Sequence, residues 1–328
     1  MGYLYEILSC APAYARRWTH KARYERGQNP VRIQYGPLRH QAIVLYEPKG
    51  TPKRTTVAYL HGGAYVIGDP DSMGQVAAMF NTHDYRFASI GFSLMQERKF
   101  PAQIDDVFDG LACLVNYLDE HGIPSDRICI GGSSAGGHAA ATVAYGKVLQ
   151  CEHGFDGSRL TGCISLAAVV DIDDMLAKGL PLGGGTARFV DMPQEDRLSK
   201  AKVHAALTPF NPMLLISEDS DIPFLGFHGT ADKMSPYDRE RAFVEKLNAL
   251  VGENPTNAGQ ILETDTGNLA TLHTMTGWSW QHMKLTVTLP IVKSAAAKEA
   301  RNHLFAWLDK IDAGAATAPS PKRGSPSS

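Results

Sequence analysis

The sequence predicts an α/β architecture, a mostly parallel sheet covered by helices on both faces. Three observations predict it. Short apolar runs of strand length alternate with helical stripes through most of the chain. Those runs are apolar along their whole length, as strands covered on both faces are. Several of them stop abruptly at glycine, where a strand hands over to a turn.

In chain order, Val31, Ile33 and Tyr35, then Ala42, Val44 and Tyr46, alternate about a Gly36-Pro37 turn and read as an opening hairpin. Thr56 to Leu60 is a buried strand ending at His61-Gly62-Gly63, and Phe87 to Phe92 is a second. From Ile104 the apolar residues Val107, Phe108, Leu111, Leu114 and Leu118 fall on one helical face, closed by His121-Gly122. Arg127 to Ile130 runs into Gly131-Gly132, and an Ala-rich helix follows from Ala135 to Leu149. Leu160 to Val170 is the next strand, and Ile222 to Phe227 leads to a helix over Tyr237 to Leu250. Residues 171–215 are irregular; their Gly183-Gly184-Gly185 run lacks the Lys and Ser/Thr of a phosphate loop and fits a cap or loop insertion. A strand at Gln260 to Leu262, an unusual stretch from Thr264 to Leu289 and a last helix from Ile291 to Ile311 complete one domain, 1–312. The Ala/Pro/Ser/Gly tail, 313–328, reads as disordered.

With 328 residues, 44% of them hydrophobic, the chain has ample apolar material for a core, which excludes a disordered or fibrous protein. A net charge of −2 excludes the basic excess that nucleic acid or an anionic membrane surface attracts. The five cysteines (Cys10, Cys113, Cys129, Cys151 and Cys163) are widely spaced and form no C-x-x-C pair, so they suggest neither a disulfide framework nor a zinc or other metal site. Met1 to His20 lacks the basic start and apolar stretch of a secretory signal, and its apolar run is too short to span a bilayer. Cys10 stands too near Met1 for a lipoprotein site, and Glu6 replaces the Ser or Thr of a myristoylation signal. A cytoplasmic protein is the expectation. The sequence carries no signal of oligomeric state.

The chemistry concentrates at Gly132-Ser133-Ser134-Ala135-Gly136, a Gly-x-Ser-x-Gly pattern between a strand and a helix. Glycines flank a serine on a strained turn because larger side chains would collide with neighbouring elements. Ser134 is the candidate nucleophile; Ser133 fails the pattern because Ala135 stands two residues after it. A hydroxyl attacking a carbonyl needs backbone N–H donors aimed at the developing oxyanion. Gly62 and Gly63, followed by Ala64 and Tyr65, lie on a loop suited to supply them beside the amide of Ala135.

A serine nucleophile needs a base, and the base an orienting carboxylate, in the chain order Ser, Asp, His. Asp232 follows the strand through His228-Gly229-Thr230-Ala231, at the carboxyl end where ligands meet an open α/β sheet, whereas Asp219 and Asp221 precede it. His282 lies a short loop before the last helix and is the first candidate base; His273 is the alternative, and His303 falls within the helix pattern. Trp278, Trp280 and Tyr65 would suit contact with an apolar or aromatic acyl group and would fit a core equally. His138, just after the candidate nucleophile, reads as facing a helix neighbour.

Together the His61–Tyr65 loop, the Gly132–His138 turn and the His228–Asp232 segment resemble the esterase/lipase branch of the α/β hydrolases, close to bacterial feruloyl-esterase-like and hormone-sensitive-lipase-like carboxylesterases. Phe100-Pro101-Ala102-Gln103-Ile104-Asp105-Asp106 is also similar to a segment of that family. The resemblance spans about residues 30–311 and implies a Ser134, Asp232, His282 triad, an oxyanion hole of Gly62, Gly63 and Ala135, and no cofactor. There are departures: Ser133 replaces an acidic residue, and Thr264 to Gln281 is long and lacks the family's Gly-x-Gly-His. The expected activity is hydrolysis of a small carboxylic ester through an acyl-enzyme. Similarity to arylformamidases keeps amide or formamide hydrolysis open, and a ligand-binding protein on a retired hydrolase scaffold is the non-enzymatic alternative.

Overall fold

The structure, a computed structural model, describes residues 28–172, 190–230, 232, 234–251, 270–275 and 295–314. Its centre is an eight-stranded sheet in the order β1-β2-β4-β3-β5-β6-β7-β8. Strands β1 (Val31–Gln34) and β2 (Ala42–Tyr46) form the antiparallel hairpin that their alternation predicts, and β2 runs antiparallel to β4 (Arg86–Ile90). The remaining pairs are parallel: β3 (Thr56–Leu60), β5 (Ile128–Ser133), β6 (Leu160–Leu166), β7 (Phe224–Gly229) and β8 (Ala270–Met275).

Helices α1 (Gly74–Asn81), α2 (Ala102–Glu120), α3 (Ala135–Tyr145), α4 (Lys147–Glu152), α5 (Lys200–Leu207), α6 (Pro212–Leu215), α7 (Tyr237–Val251) and α8 (Ala295–Asp312) complete the described elements. Two apolar cores form, one on each face of the sheet. Ile43, Ala58, Ala88 and Ile130 pack with Ile104, Leu111 and Leu114 of α2 and with α3. Val44, Val57, Phe87 and Leu225 pack with Phe80 of α1 and with Leu304, Trp307 and Leu308 of α8. Neighbouring residues of one strand thus enter opposite cores, the period-two consequence of the pleat, and each fully buried Leu, Ile or Phe contributes about 1.5–3 kcal/mol.

The Ala-rich run after Ser134 forms two helices, not one to Leu149, because the chain breaks at Gly146 (φ −80, ψ 68). Part of 171–215, read as irregular, is helical: Ser199 caps α5, accepting from the Lys202 amide, and Asn211 caps α6, accepting from the Met213 amide. Val203 and Leu207, four residues apart, are the buried face of α5. Strand β8 lies inside the stretch read as unusual. The predicted strand Gln260–Leu262 and most of the tail fall outside the described residues. Among the described residues, no helix is long and apolar enough to cross a membrane.

Candidate active site

Parallel pairing brings the carboxyl ends of β3, β5, β6 and β7 to one edge, where the Gly62–Gly63 loop, Ser134 and Asp232 follow their strands. Ser134 follows β5 with φ 54 and ψ −119, a conformation that costs of order 1–3 kcal/mol for a residue with a Cβ. Two bonds hold the turn, and a third ties the end of β6 beside it to β7. The Ser134 amide donates to the Leu166 carbonyl (2.9 Å), the His138 amide donates to the Ser134 carbonyl (2.9 Å), and the Ala167 amide donates to Phe227 (2.9 Å). Ser134 is half-buried, while Ser133 before it and Ala135 after it are buried. Two glycines permit the crowding: a Cβ on Gly136 would stand 2.2 Å from the Leu60 carbonyl oxygen, and one on Gly62 would stand 2.9 Å from that of Ser133 and 3.3 Å from Cβ of Ser134. The Gly62 loop and the serine turn are therefore packed backbone against backbone.

That loop is strained as well. Gly63, Ala64 and Tyr65 have φ of 130, 52 and 61 in succession, and two of these residues carry side chains. The Gly63 carbonyl accepts from Val66 (3.0 Å) and Ile67 (3.1 Å), and the Tyr65 carbonyl accepts from Met95 (2.8 Å). Among the described residues, the amides of Gly63, Ala64 and Ala135 donate no backbone hydrogen bond.

Tyr65 occupies a different post from an open substrate-facing ring. It is buried against Phe92 and Phe100, and its hydroxyl lies 2.6 Å from Nδ1 of His138, while burial pushes its phenol well above the ordinary range. Nε2 of His138 lies 2.8 Å from the Phe210 carbonyl oxygen.

Asp232 is buried in the turn after β7. Its Oδ1 accepts from the amides of Met234 (2.8 Å) and Ser235 (2.9 Å), and its Oδ2 stands 3.1 Å from Nε2 of His228. Ser235 in turn donates through Oγ to the Ala168 carbonyl (2.7 Å), tying the Asp232 turn to the end of β6 beside the Ser134 turn. His228 is flanked on its other nitrogen by Glu240 of α7, and Nε2 also donates to the Ser235 carbonyl (2.8 Å). Burial by itself lowers the His228 pKa, but the carboxylates of Glu240 and Asp232 override it and raise it to about 10, so the ring is a buried cation between two acids. Sequence reasoning missed Glu240; the available signal was a histidine inside an otherwise apolar strand, which requires a buried partner.

The two candidate bases fall differently. His273 lies within β8, in register with Phe227, which pairs with Leu166, which pairs with Ser133. Three strand spacings, about 14 Å, thus separate its backbone from the row of Ser133. His282, Trp278 and Trp280 lie outside the described residues.

Known proteins resemble this chain in sequence and in fold. The family model BD-FAE matches residues 43–247. The chain is 26% identical over 225 residues to the Arabidopsis thaliana protein named "Probable isoprenylcysteine alpha-carbonyl methylesterase ICMEL1", covering 66% of this chain and 47% of that protein. It is 25% identical over 251 residues to the esterase LipC of Mycobacterium tuberculosis, covering 74% of this chain and 58% of the relative. The chain thus spans about half the length of these relatives. Among solved structures, an inhibited esterase B from Lactobacillus rhamnosis superposes with a TM-score of 0.64 at 16% identity, covering 94% of this chain and 97% of that one. The metagenomic carboxylesterase EstE1 superposes with a TM-score of 0.59 at 19% identity, over 93% and 98%. These likenesses establish the α/β-hydrolase fold.

Proposed function

The chain belongs to the BD-FAE family, and from that premise we propose that it is a serine esterase cleaving small carboxylic esters through an acyl-enzyme on Ser134. One observation carries the reading: a half-buried serine held at φ 54 on a strand-to-helix turn, packed against a glycine loop whose Gly63 and Ala64 amides, among the described residues, donate no backbone hydrogen bond. Strain of this kind presents a nucleophile. The relatives named as esterases and carboxylic ester hydrolases support the same class of substrate.

In this reading Ser134 Oγ attacks the ester carbonyl as an imidazole takes its proton, and the amides of Gly62, Gly63 and Ala135 receive the oxyanion. The proton passes to the departing alcohol. Water, deprotonated by the same imidazole, then attacks the acyl-enzyme; the Ser134 ester bond breaks, Oγ recovers its proton and the acid leaves. Asp232 orients the imidazole, and the proposed steps call for no cofactor. We assign the imidazole to His282, which stands in the sequence a short stretch before the last helix, where the family resemblance implies the base, whereas His273 lies within β8, three strand spacings from the row of Ser133.

Hydrolysis of p-nitrophenyl butyrate tests the proposal. Turnover by the parent, lost in Ser134→Ala and in His282→Ala and kept in His273→Ala, is the expected pattern. Loss in His273→Ala with His282→Ala active would move the base to β8, and turnover in Ser134→Ala would remove the nucleophile.

A further inference from the structure

We propose that His138 is a positioning residue for ester hydrolysis: through Tyr65 it holds the Gly62–Tyr65 loop in register with Ser134. The proposal rests on the esterase reading above. Its basis is the pair of strained segments that meet at the site. Ser134 lies at φ 54, and Ala64 and Tyr65 lie at φ 52 and 61; such conformations persist only where surrounding contacts over-determine them. His138 touches both. Its amide donates to the Ser134 carbonyl (2.9 Å), and its ring meets the Tyr65 hydroxyl (2.6 Å).

The direction of the bonds follows from the partners. A carbonyl only accepts, so Nε2 carries the proton that is donated to Phe210 (2.8 Å). Burial lowers the His138 pKa to about 4, leaving Nδ1 as a lone pair at neutral pH. The Tyr65 hydroxyl therefore donates to Nδ1. The chain of bonds runs from the Phe210 carbonyl through the imidazole to the tyrosine, and Phe100 fills the space between, its ring centroid 5.8 Å from Tyr65 and 5.3 Å from Phe210. The Tyr65 proton is thus committed to Nδ1, and the side chain is buried. It fixes the loop that carries the Gly62 and Gly63 amides of the proposed oxyanion hole, and misplacement of such donors by about 1 Å costs on the order of 100-fold in rate.

The test compares kcat and KM for p-nitrophenyl butyrate among the full-length parent, Ser134→Ala, Tyr65→Phe, His138→Leu, His138→Asn and the Tyr65→Phe/His138→Leu double variant. Tyr65→Phe keeps the ring packing and is expected to lose about 10-fold or more in kcat, with KM within about two-fold. The double variant should be no slower than the slower single one, since Tyr65→Phe removes only the Tyr65–His138 bond, which His138→Leu has already removed together with the bond to Phe210. Asn carries a carbonyl oxygen where His carries Nδ1, so His138→Asn should regain much of what His138→Leu loses. A parent-like kcat in Tyr65→Phe, losses that multiply in the double variant, or His138→Asn no better than His138→Leu would each overturn the positioning role. Should Tyr65→Phe fail to fold, the Asn and Leu variants decide the matter alone. Turnover in Ser134→Ala would sink the esterase reading and the proposal with it, whereas a silent Ser134→Ala beside a parent-like Tyr65→Phe sinks the positioning role only.

Discussion

Nε2 of His228 stands 3.1 Å from Oδ2 of Asp232, and both side chains are fully buried. The proposed triad acid is therefore held from below by a cation, while two backbone amides hold its other oxygen. Asp232→Asn keeps an acceptor for those amides but turns a donor toward His228. It is expected to lower kcat by roughly 1,000-fold or more and to lower the melting temperature, both measurable on one preparation. A variant within about 10-fold of the parent would remove Asp232 from the triad.

The two buried histidines give the stability opposite pH limbs. The folded pKa of His228, raised to about 10, lies above the ordinary value near 6.5, so its contribution is fully present below about pH 6.5 and is lost as pH rises through about 10. The His138 pKa, lowered by burial to about 4, makes the unfolded chain bind the proton first, so stability falls as pH drops from about 6.5 toward 4. Melting temperatures measured across this range should show His228→Gln with a flatter alkaline limb and His138→Leu with a flatter acid limb than the parent. An unchanged alkaline slope in His228→Gln would contradict the buried cation.

Gly62 and Gly136 separate rate from stability. A Cβ on Gly136 would press to within 2.2 Å of the Leu60 carbonyl oxygen and 2.5 Å of that of His61, forcing α3 off β3, and Gly136→Ala should destabilise the fold by about 3 kcal/mol or more. A Cβ on Gly62 meets Ser133 and Ser134 at 2.9–3.3 Å, at the edge of the sheet, so Gly62→Ala should reduce kcat more than it reduces the melting temperature. Denaturant unfolding beside steady-state kinetics checks the pair. Equal stability losses would show that Gly62 is a packing residue only.

Much of this arrangement was legible in the sequence because it is local. Thr56–Leu60 and Ile128–Ser133 are apolar runs ending at glycines, and their pattern alone places the Gly62 loop and Ser134 at strand ends. The helix capped by Ser199 was missed because its buried face is only Val203 and Leu207, too few residues for a periodic signal. β8 was missed because Ala270-Thr271-Leu272-His273-Thr274-Met275 is neither uniformly apolar nor cleanly alternating; its pairing with β7 decides its conformation. The Tyr65–His138 bond and the Glu240–His228–Asp232 cluster join residues whose spacing in the chain carries no pattern. Only packing discloses them.

The central claim is that Ser134 is a nucleophile activated in the folded chain. Intact-mass spectrometry after incubation with a fluorophosphonate, followed by peptide mapping, tests it most directly. The parent should gain a single phosphonyl adduct on the peptide containing Ser134, and Ser134→Ala should gain none. An adduct that persists in Ser134→Ala, or a folded parent that stays unlabelled, would contradict the account.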